Sequence, residues 1–278
     1  MQVAKTLFVS DMDGTLLGTD SMLSTTSARL LNDAIADGAL FTVATARTPA
    51  TVVPLMEPVH ARLPFIVIGG AALWDPTRNA FARTRPIAPA TVDAIADVFE
   101  RDGLRPFIYR RHGNVLHTHH FGTMSAQEQR FVEARQGLPL KKFFLDDRDY
   151  RDSDDEALLI FSMNKYATLK GIAARIAESA DCEITLYHDI FDHDDGYLEI
   201  YAPCTTKALA IKQMAEEVGA ERVVVFGDNR NDIPMMREAT VAVAVANAFD
   251  EVKNAANEVI GANTDDSVPR YILAALHK

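Results

Sequence analysis

Cysteine is almost absent from this chain: 278 residues carry only Cys182 and Cys204. Two thiols so far apart in sequence form no disulfide framework, which excludes the small cross-linked secreted folds and makes a reducing, cytoplasmic setting the simplest expectation. Basic residues are also short, 28 against 39 acidic ones, for a net charge of −11. A surface of that sign excludes nucleic acid as the main partner, because phosphate backbones need basic faces. It does not exclude a small phosphorylated ligand, since a bound cation and a few local basic groups reset the field of one cleft. No apolar run is long enough to span a bilayer, so no membrane association is expected. The stretch before Asp11 holds a single lysine and no apolar core of signal-peptide length. Repeats and low-complexity tracts are missing too, and no segment marks an obligate protein partner.

What is present is an alternation of short apolar runs with amphipathic ones. Thr6 to Ser10 reads as a buried strand, Ser24 to Asp37 as a helix capped by serine and threonine and ended by Gly38, and Leu40 to Ala44 as a second strand. Thr48-Pro49 reads as a cap followed by proline at the first helical position, and Pro64 to Ile68 as a third strand. The pattern returns with a helix at Thr205 to Val218, strands at Arg222 to Phe226 and Val241 to Ala246, and helices at Asp232 to Glu238, Phe249 to Ala256 and Ser267 to His277. Apolar strands alternating with helices predict a parallel sheet covered on both faces, an α/β core of Rossmann-like type.

Between these halves the pattern changes. Pro106 to Tyr109 and Val115 to Thr118 read as a hairpin whose polar turn is Arg110-Arg111-His112-Gly113-Asn114. Further strands are expected at Leu159 to Met163, Glu183 to Tyr187 and Tyr197 to Tyr201, with helices at Pro89 to Arg101 and Ala167 to Ala180. The expectation is an α+β domain over residues 83–202, inserted into a core made of 1–82 and 203–278.

Asp11-Met12-Asp13-Gly14-Thr15 carries the chemistry. Two carboxylates one residue apart, just past a buried strand, are costly unless something positive neutralises them, most simply a divalent cation. Ligand sites in parallel sheets lie at the carboxyl ends of strands. Asp11, Thr45 and Asp228 each follow a predicted strand end. With Asp13, Lys207, Asn231 and Asp232 they suggest phosphoryl transfer through an aspartyl phosphate. Asp11 would attack phosphorus, and Asp13 would protonate the leaving oxygen and then take a proton from water. Asp11, Asp228 and a backbone carbonyl would hold Mg2+, while Lys207 and the Thr45 hydroxyl would bind phosphate oxygens. Arg47 is weighed as a phosphate or substrate contact against a plain surface arginine.

These motifs resemble those of the haloacid dehalogenase-like (HAD) phosphatases, in particular the Cof-type sugar phosphatases of subclass IIB. Asp11 to Leu17 resembles the nucleophile motif, Ala44-Thr45-Ala46-Arg47 the threonine motif, Lys207 the motif lysine, and Gly227 to Met236 the acidic metal motif. Val245 to Ala248, followed by Val252-Lys253, resembles the C-terminal pattern. The resemblance implies that the insertion is a C2B-type cap. It also implies that Asp11 is the nucleophile and Asp13 the acid/base and, by its backbone carbonyl, a metal ligand. Asp228 would be a metal ligand, Asp232 would hold the metal or its waters, and Asn231 would orient phosphate. The chain departs from the pattern at Ala46 and Gly69, in Cys204 to Ala208 and at Ser267, none of which removes a catalytic group.

The expected function is thus a Mg2+-dependent phosphatase of small phosphorylated metabolites, with sugar phosphates implied by the resemblance. A phosphomutase using the same intermediate and a phospho-accepting signalling module are the rivals. His117, His119 and His120 evoke zinc, but no third ligand is evident and exposed strand histidines are the expectation. The acidic run from Asp146 to Glu156 reads as a solvated loop, and Asn247 as a turn residue.

Overall fold

A computed structural model describes residues 5–189 and 192–277, and the chain divides into two compact units, one of Met1–Arg83 with Thr206–Lys278 and one of Thr84–Thr205. The first unit begins with β1 (Thr6–Ser10), α1 (Thr25–Ala36), β2 (Leu40–Val43) and α2 (Pro49–Met56). It continues into a small antiparallel sheet of β3 (Phe65–Val67), β4 (Ala72–Asp75) and β5 (Ala80–Thr84). The second unit contains α3 (Pro89–Arg101), β6 (Phe107–His112), β7 (Val115–His119), α4 (Ala126–Glu133), β8 (Lys141–Phe144) and β9 (Glu156–Lys165), then α5 (Tyr166–Ser179), β10 (Glu183–His188) and β11 (Asp195–Tyr201). The chain then completes the first unit with α6 (Lys207–Val218), β12 (Arg222–Gly227), α7 (Ile233–Arg237), β13 (Val241–Ala244), α8 (Asp250–Ala255), β14 (Glu258–Val259) and α9 (Ser267–Leu276).

The strands of the first unit form a parallel sheet in the order β14-β13-β12-β1-β2. Consecutive residues of β1 and β12 are buried, Leu7, Phe8 and Val9 on one strand and Val224, Val225 and Phe226 on the other. Successive side chains point to opposite faces, so burial of all of them requires cover on both sides. Local chemistry sets the helix ends. Ser24 caps α1 by accepting from the Ser27 amide, Thr206 caps α6 through the Leu209 amide, and Gly219, left-handed, closes α6. β3 is the exception to the expected pattern: it touches the parallel sheet through one bridge, Ala44 to Ile66, and otherwise pairs antiparallel with β4.

In this sheet the register decides where function sits. Ser10 lies opposite both Phe226 and Val43, and the Asp11 amide extends the ladder by donating to the Phe226 carbonyl at 3.0 Å. Asp11, Thr45 and Asp228 therefore leave the sheet along one edge, the carboxyl ends of β1, β2 and β12.

The second unit carries a six-stranded sheet in the order β10-β11-β9-β6-β7-β8, antiparallel except for β7 and β8. Ile95, Phe99, Leu169, Ile172 and Ile176 of α3 and α5 share a core with Ile108, Ile160, Leu198 and Ile200 of the strands. Neighbouring strand positions point the other way and build an aromatic layer, in which Phe131 of α4 lies 5.7 Å from Phe107 and 5.3 Å from Phe161.

Three expectations for this unit are corrected, one of them in part. The hairpin turn is only Gly113-Asn114, because Arg110, Arg111 and His112 belong to β6, paired with His117, Leu116 and Val115. Arg110 is buried and donates to the backbone carbonyls of Arg151 and Asp155, so it fastens the acidic loop rather than facing solvent. The acidic run is a loop with Asp146, Asp149, Asp152 and Asp154 exposed, as expected, but three of its acids are partnered: Asp147 meets His119, Asp155 meets His112, and Glu156 meets Arg111. The histidines are not exposed either, since His120 is buried and His117 and His119 are half-buried. Alternation alone gave no sign that loop residues would return over that strand.

Candidate active site

At the carboxyl edge of the parallel sheet, Lys207 joins two carboxylates. Its Nζ donates to Asp11 Oδ1 at 2.6 Å and to Asp232 Oδ1 at 3.0 Å. Lys207 is the first residue of α6, a position where the helix dipole disfavours a cation, and the two carboxylates reverse that preference. Burial works against its charge, but Asp11 and Asp232 outweigh burial and raise its pKa above the ordinary lysine value. Asp232 spends its second oxygen on the amides of Asp228 and Asn229, at 3.2 and 3.1 Å, and so shapes the turn that carries Asp228. Thr15, from the nucleophile motif, donates to Asp228 Oδ1 at 2.7 Å and ties the two acidic loops together.

One carboxylate oxygen each from Asp11, Asp228 and Asp232 lies within 4.8 Å of the others. Three carboxylates face one ammonium, and the titration behaviour records the surplus. Burial first, then the Asp232 charge, push Asp11 well above the usual carboxylate range, although Lys207 pulls it down. Asp228 is pushed up to about 6 by burial, with the Thr15 hydrogen bond opposing and Asp232 adding. Carboxylates held this way favour either protons or a cation. An all-oxygen, carboxylate-rich donor set fits a hard divalent ion such as Mg2+.

Two glycines allow the carboxylates to come so close. Gly14 has φ +74°, and a Cβ there would lie 2.3 Å from Asp228 Oδ2. A Cβ on Gly227 would lie 2.7 Å from the Asp232 Cβ.

Beside this cluster Asp13 and Arg47 form a two-pronged pair. Arg47 Nε donates to Asp13 Oδ2 at 2.7 Å and Nη2 to Oδ1 at 2.6 Å. The Asp13 hydrogen bonds raise the guanidinium pKa further above its ordinary value. The Arg47 backbone is held by the Ile68 amide, which donates to its carbonyl at 2.9 Å. Thr45 is buried at the end of β2, where its Oγ1 accepts from the Arg47 amide at 3.2 Å, leaving the hydroxyl hydrogen to donate elsewhere.

The structure thus brings Asp11, Lys207, Asp228 and Asp232 into one contact network, with Asp13 and Arg47 paired next to each other and Thr45 on the same edge. Asn231 lies outside the network, exposed on the 3₁₀ turn Arg230–Asp232. Sequence reasoning missed the role of Thr15, although it belongs to the motif. It also read Asn247 as a turn residue, whereas its Nδ2 donates to the Gly14 carbonyl at 2.7 Å and its Oδ1 accepts from the Asn263 amide at 2.9 Å. Asn263 then donates to the Leu17 carbonyl at 2.7 Å. Nothing local in the sequence marks Asn263.

The profile of the haloacid dehalogenase-like hydrolases matches residues 8–272, which takes in every residue of this site. The chain belongs to that family. Among curated relatives of this HAD-like hydrolase is the 5-amino-6-(5-phospho-D-ribitylamino)uracil phosphatase YcsE of Bacillus subtilis, 24% identical over 96% of this chain and 94% of the relative. The pyridoxal phosphate phosphatase YbhA of Escherichia coli is 27% identical over 96% of this chain and 97% of the relative. The HAD subclass IIB sugar phosphatase BT4131 has the same fold, with a TM-score of 0.73 at 20% identity, over 96% of this chain and 97% of that one.

Proposed function

We propose that this HAD-like hydrolase is a Mg2+-dependent phosphatase of small phosphorylated metabolites that works through an aspartyl phosphate on Asp11. The observation that supports this reading best is the buried Asp11 carboxylate held by Lys207 beside Asp228 and Asp232. Asp11 and Asp228, with the main-chain carbonyl of Asp13, are the ligands proposed for the ion. Once bound, Mg2+ supplies positive charge that removes the repulsion between carboxylate and phosphate.

In the first half-reaction Asp11 forms a bond to phosphorus while the ester P–O bond breaks, and the leaving oxygen takes a proton from Asp13. In the second, water attacks phosphorus, Asp13 takes its proton, and the Asp11–phosphorus bond breaks to release inorganic phosphate. Lys207 and Thr45 bind the equatorial phosphate oxygens as charge builds on them. Asp232 positions Lys207 and the Asp228 turn. The Arg47–Asp13 pair has to open before Asp13 reaches the leaving group, which frees the guanidinium for the substrate. Asn231 is proposed as a phosphate-orienting group, and residues 84–205 as the cap that selects the substrate.

The relatives named above act on phosphorylated small molecules, one of them a sugar phosphatase. This supports a sugar phosphate or a comparably small phosphomonoester as the substrate class. The test is phosphate release from a panel of sugar, nucleotide and cofactor phosphates, with and without Mg2+. Release without a bisphosphate activator supports hydrolysis over mutase chemistry. Undiminished turnover by Asp11→Asn would remove the nucleophile from this scheme.

A further inference from the structure

The β6–β7 hairpin of the second unit gathers imidazoles around one carboxylate. His112 ends β6 and His117 lies in β7, where the register pairs His112 with Val115. The two histidines are therefore diagonal neighbours on one face of the hairpin. Their rings stack, with centroids 4.6 Å apart and 12° between planes, so the exposed His112 ring has to turn for both ring planes to meet at one ion. Asp155, the residue before β9, enters from the acidic loop. Its Oδ2 lies 3.0 Å from His112 Nδ1 and 3.8 Å from His117 Nδ1.

One carboxylate oxygen thus faces two ring nitrogens, and one ligand atom from each of the three residues lies within 4.8 Å of the other two. A hydrogen bond satisfies one of those nitrogens. The other, on His117, lies 3.8 Å from the same oxygen, beyond hydrogen-bond distance. In a tetrahedral site with bonds of about 2.0–2.1 Å, ligand atoms are separated by about 3.3 Å, a value the two distances bracket.

Asp155 is held in place without the histidines. Its carbonyl accepts from Arg110 at 3.0 Å and its amide donates to Ser153 Oγ at 3.1 Å. Below the pair, Phe144 packs 4.7 Å from the His117 ring, an apolar floor that strengthens ligation above it. His112 is largely exposed, which leaves an approach from solvent.

The geometry points to a second cation site at His112, His117 and Asp155, one that takes a borderline divalent ion of the zinc type and completes its fourth position with water. Two imidazoles and one carboxylate suit such an ion and are poor ligands for Mg2+. Its effect is to cross-link the hairpin to the acidic loop between β8 and β9.

The test is a Co2+ titration of the full chain in excess Mg2+, which occupies the all-oxygen aspartate site. We expect one equivalent with the intense visible absorption of a four-coordinate site, retained in Asp11→Asn. The band should be lost, and Co2+ binding weakened at least ten-fold, in His117→Ala and in the exposed variant His112→Asn, with circular dichroism reporting the fold of each. Zn2+ should displace the Co2+ band and raise Tm in the unsubstituted chain and in Asp11→Asn, but not in the two histidine variants. Absence of the band, or identical titrations of the unsubstituted chain and a folded His112→Asn, overturns the proposal.

Discussion

In the parallel sheet of the first unit the buried acids lie beyond the last strand residue, at Asp11 and Asp232, whereas the sheet of the second unit carries buried charge inside its strands. Arg110 is in β6, Lys141 in β8 and Glu199 in β11. At a strand end, backbone amides of the following turn and a residue from another loop can meet one carboxylate, as they do at Asp232. Inside a strand the local backbone is already paired, so partners come from outside that ladder: loop carbonyls of Arg151 and Asp155 for Arg110, and the Tyr187 and Tyr201 hydroxyls for Glu199. Lys141 shows the consequence: its Nζ reaches the Tyr109 hydroxyl at 3.2 Å and lies 4.4 Å from that ring and 4.6 Å from Phe143. Burial pushes its pKa down to about 7. Edge charge is concentrated and only partly compensated, while face charge is dispersed, Arg110 on carbonyls and Lys141 among aromatic rings.

The sharpest break of this comparison is Asp11→Asn. Turnover of p-nitrophenyl phosphate with Mg2+ should fall by roughly 10⁴-fold or more while circular dichroism is unchanged. Lys207→Ala should lower kcat by roughly 10²–10³-fold. It should also destabilise the metal-free protein by about 3 kcal/mol, because two buried carboxylates lose their counter-charge; added Mg2+ should restore part of the loss in a thermal melt.

Lys141→Met tests the face charge. The unfolded chain binds this proton up to about pH 10.4, and the folded chain only up to about 7, so stability rises with pH across that window. The Met variant should gain on the order of 3 kcal/mol below pH 7 and lose that slope, as read from urea midpoints at several pH values. The smallest effect expected is that of Asn247→Ala, about 1–2 kcal/mol from two lost hydrogen bonds, with a fall in kcat because Gly14 is less firmly held. If Lys141→Met left the pH slope intact, or Asn247→Ala lowered activity more than Lys207→Ala, the division between edge and face would fail.

Legibility in the sequence follows the same division. The acids, Thr45 and Lys207 could be read because the carboxyl edge of a parallel sheet is a short stretch after each apolar run, and a motif fits into it. The six-stranded sheet could be read only in part. β8 has no alternation of its own, being two lysines followed by two phenylalanines, and α4 is short and polar. Both are stabilised by contacts made after folding. Arg110 reads as part of a polar turn because it opens a polar run up to Asn114, and its partners are carbonyls some forty residues away. The pairing of Arg47 with Asp13 likewise joins residues from two motifs that reveal nothing of each other locally.

The links from Asn247 to Gly14 and from Asn263 to Leu17 have a consequence for biosynthesis. β1 needs β12 as a neighbour, and the loop after it needs these two asparagines, all supplied by residues 206–278. On the ribosome the Asp11 segment therefore lacks its lattice of partners until more than two hundred further residues have followed. A nascent chain carries Asp11 before the lysine that contacts it, and β1 before the strand that pairs with it on that side.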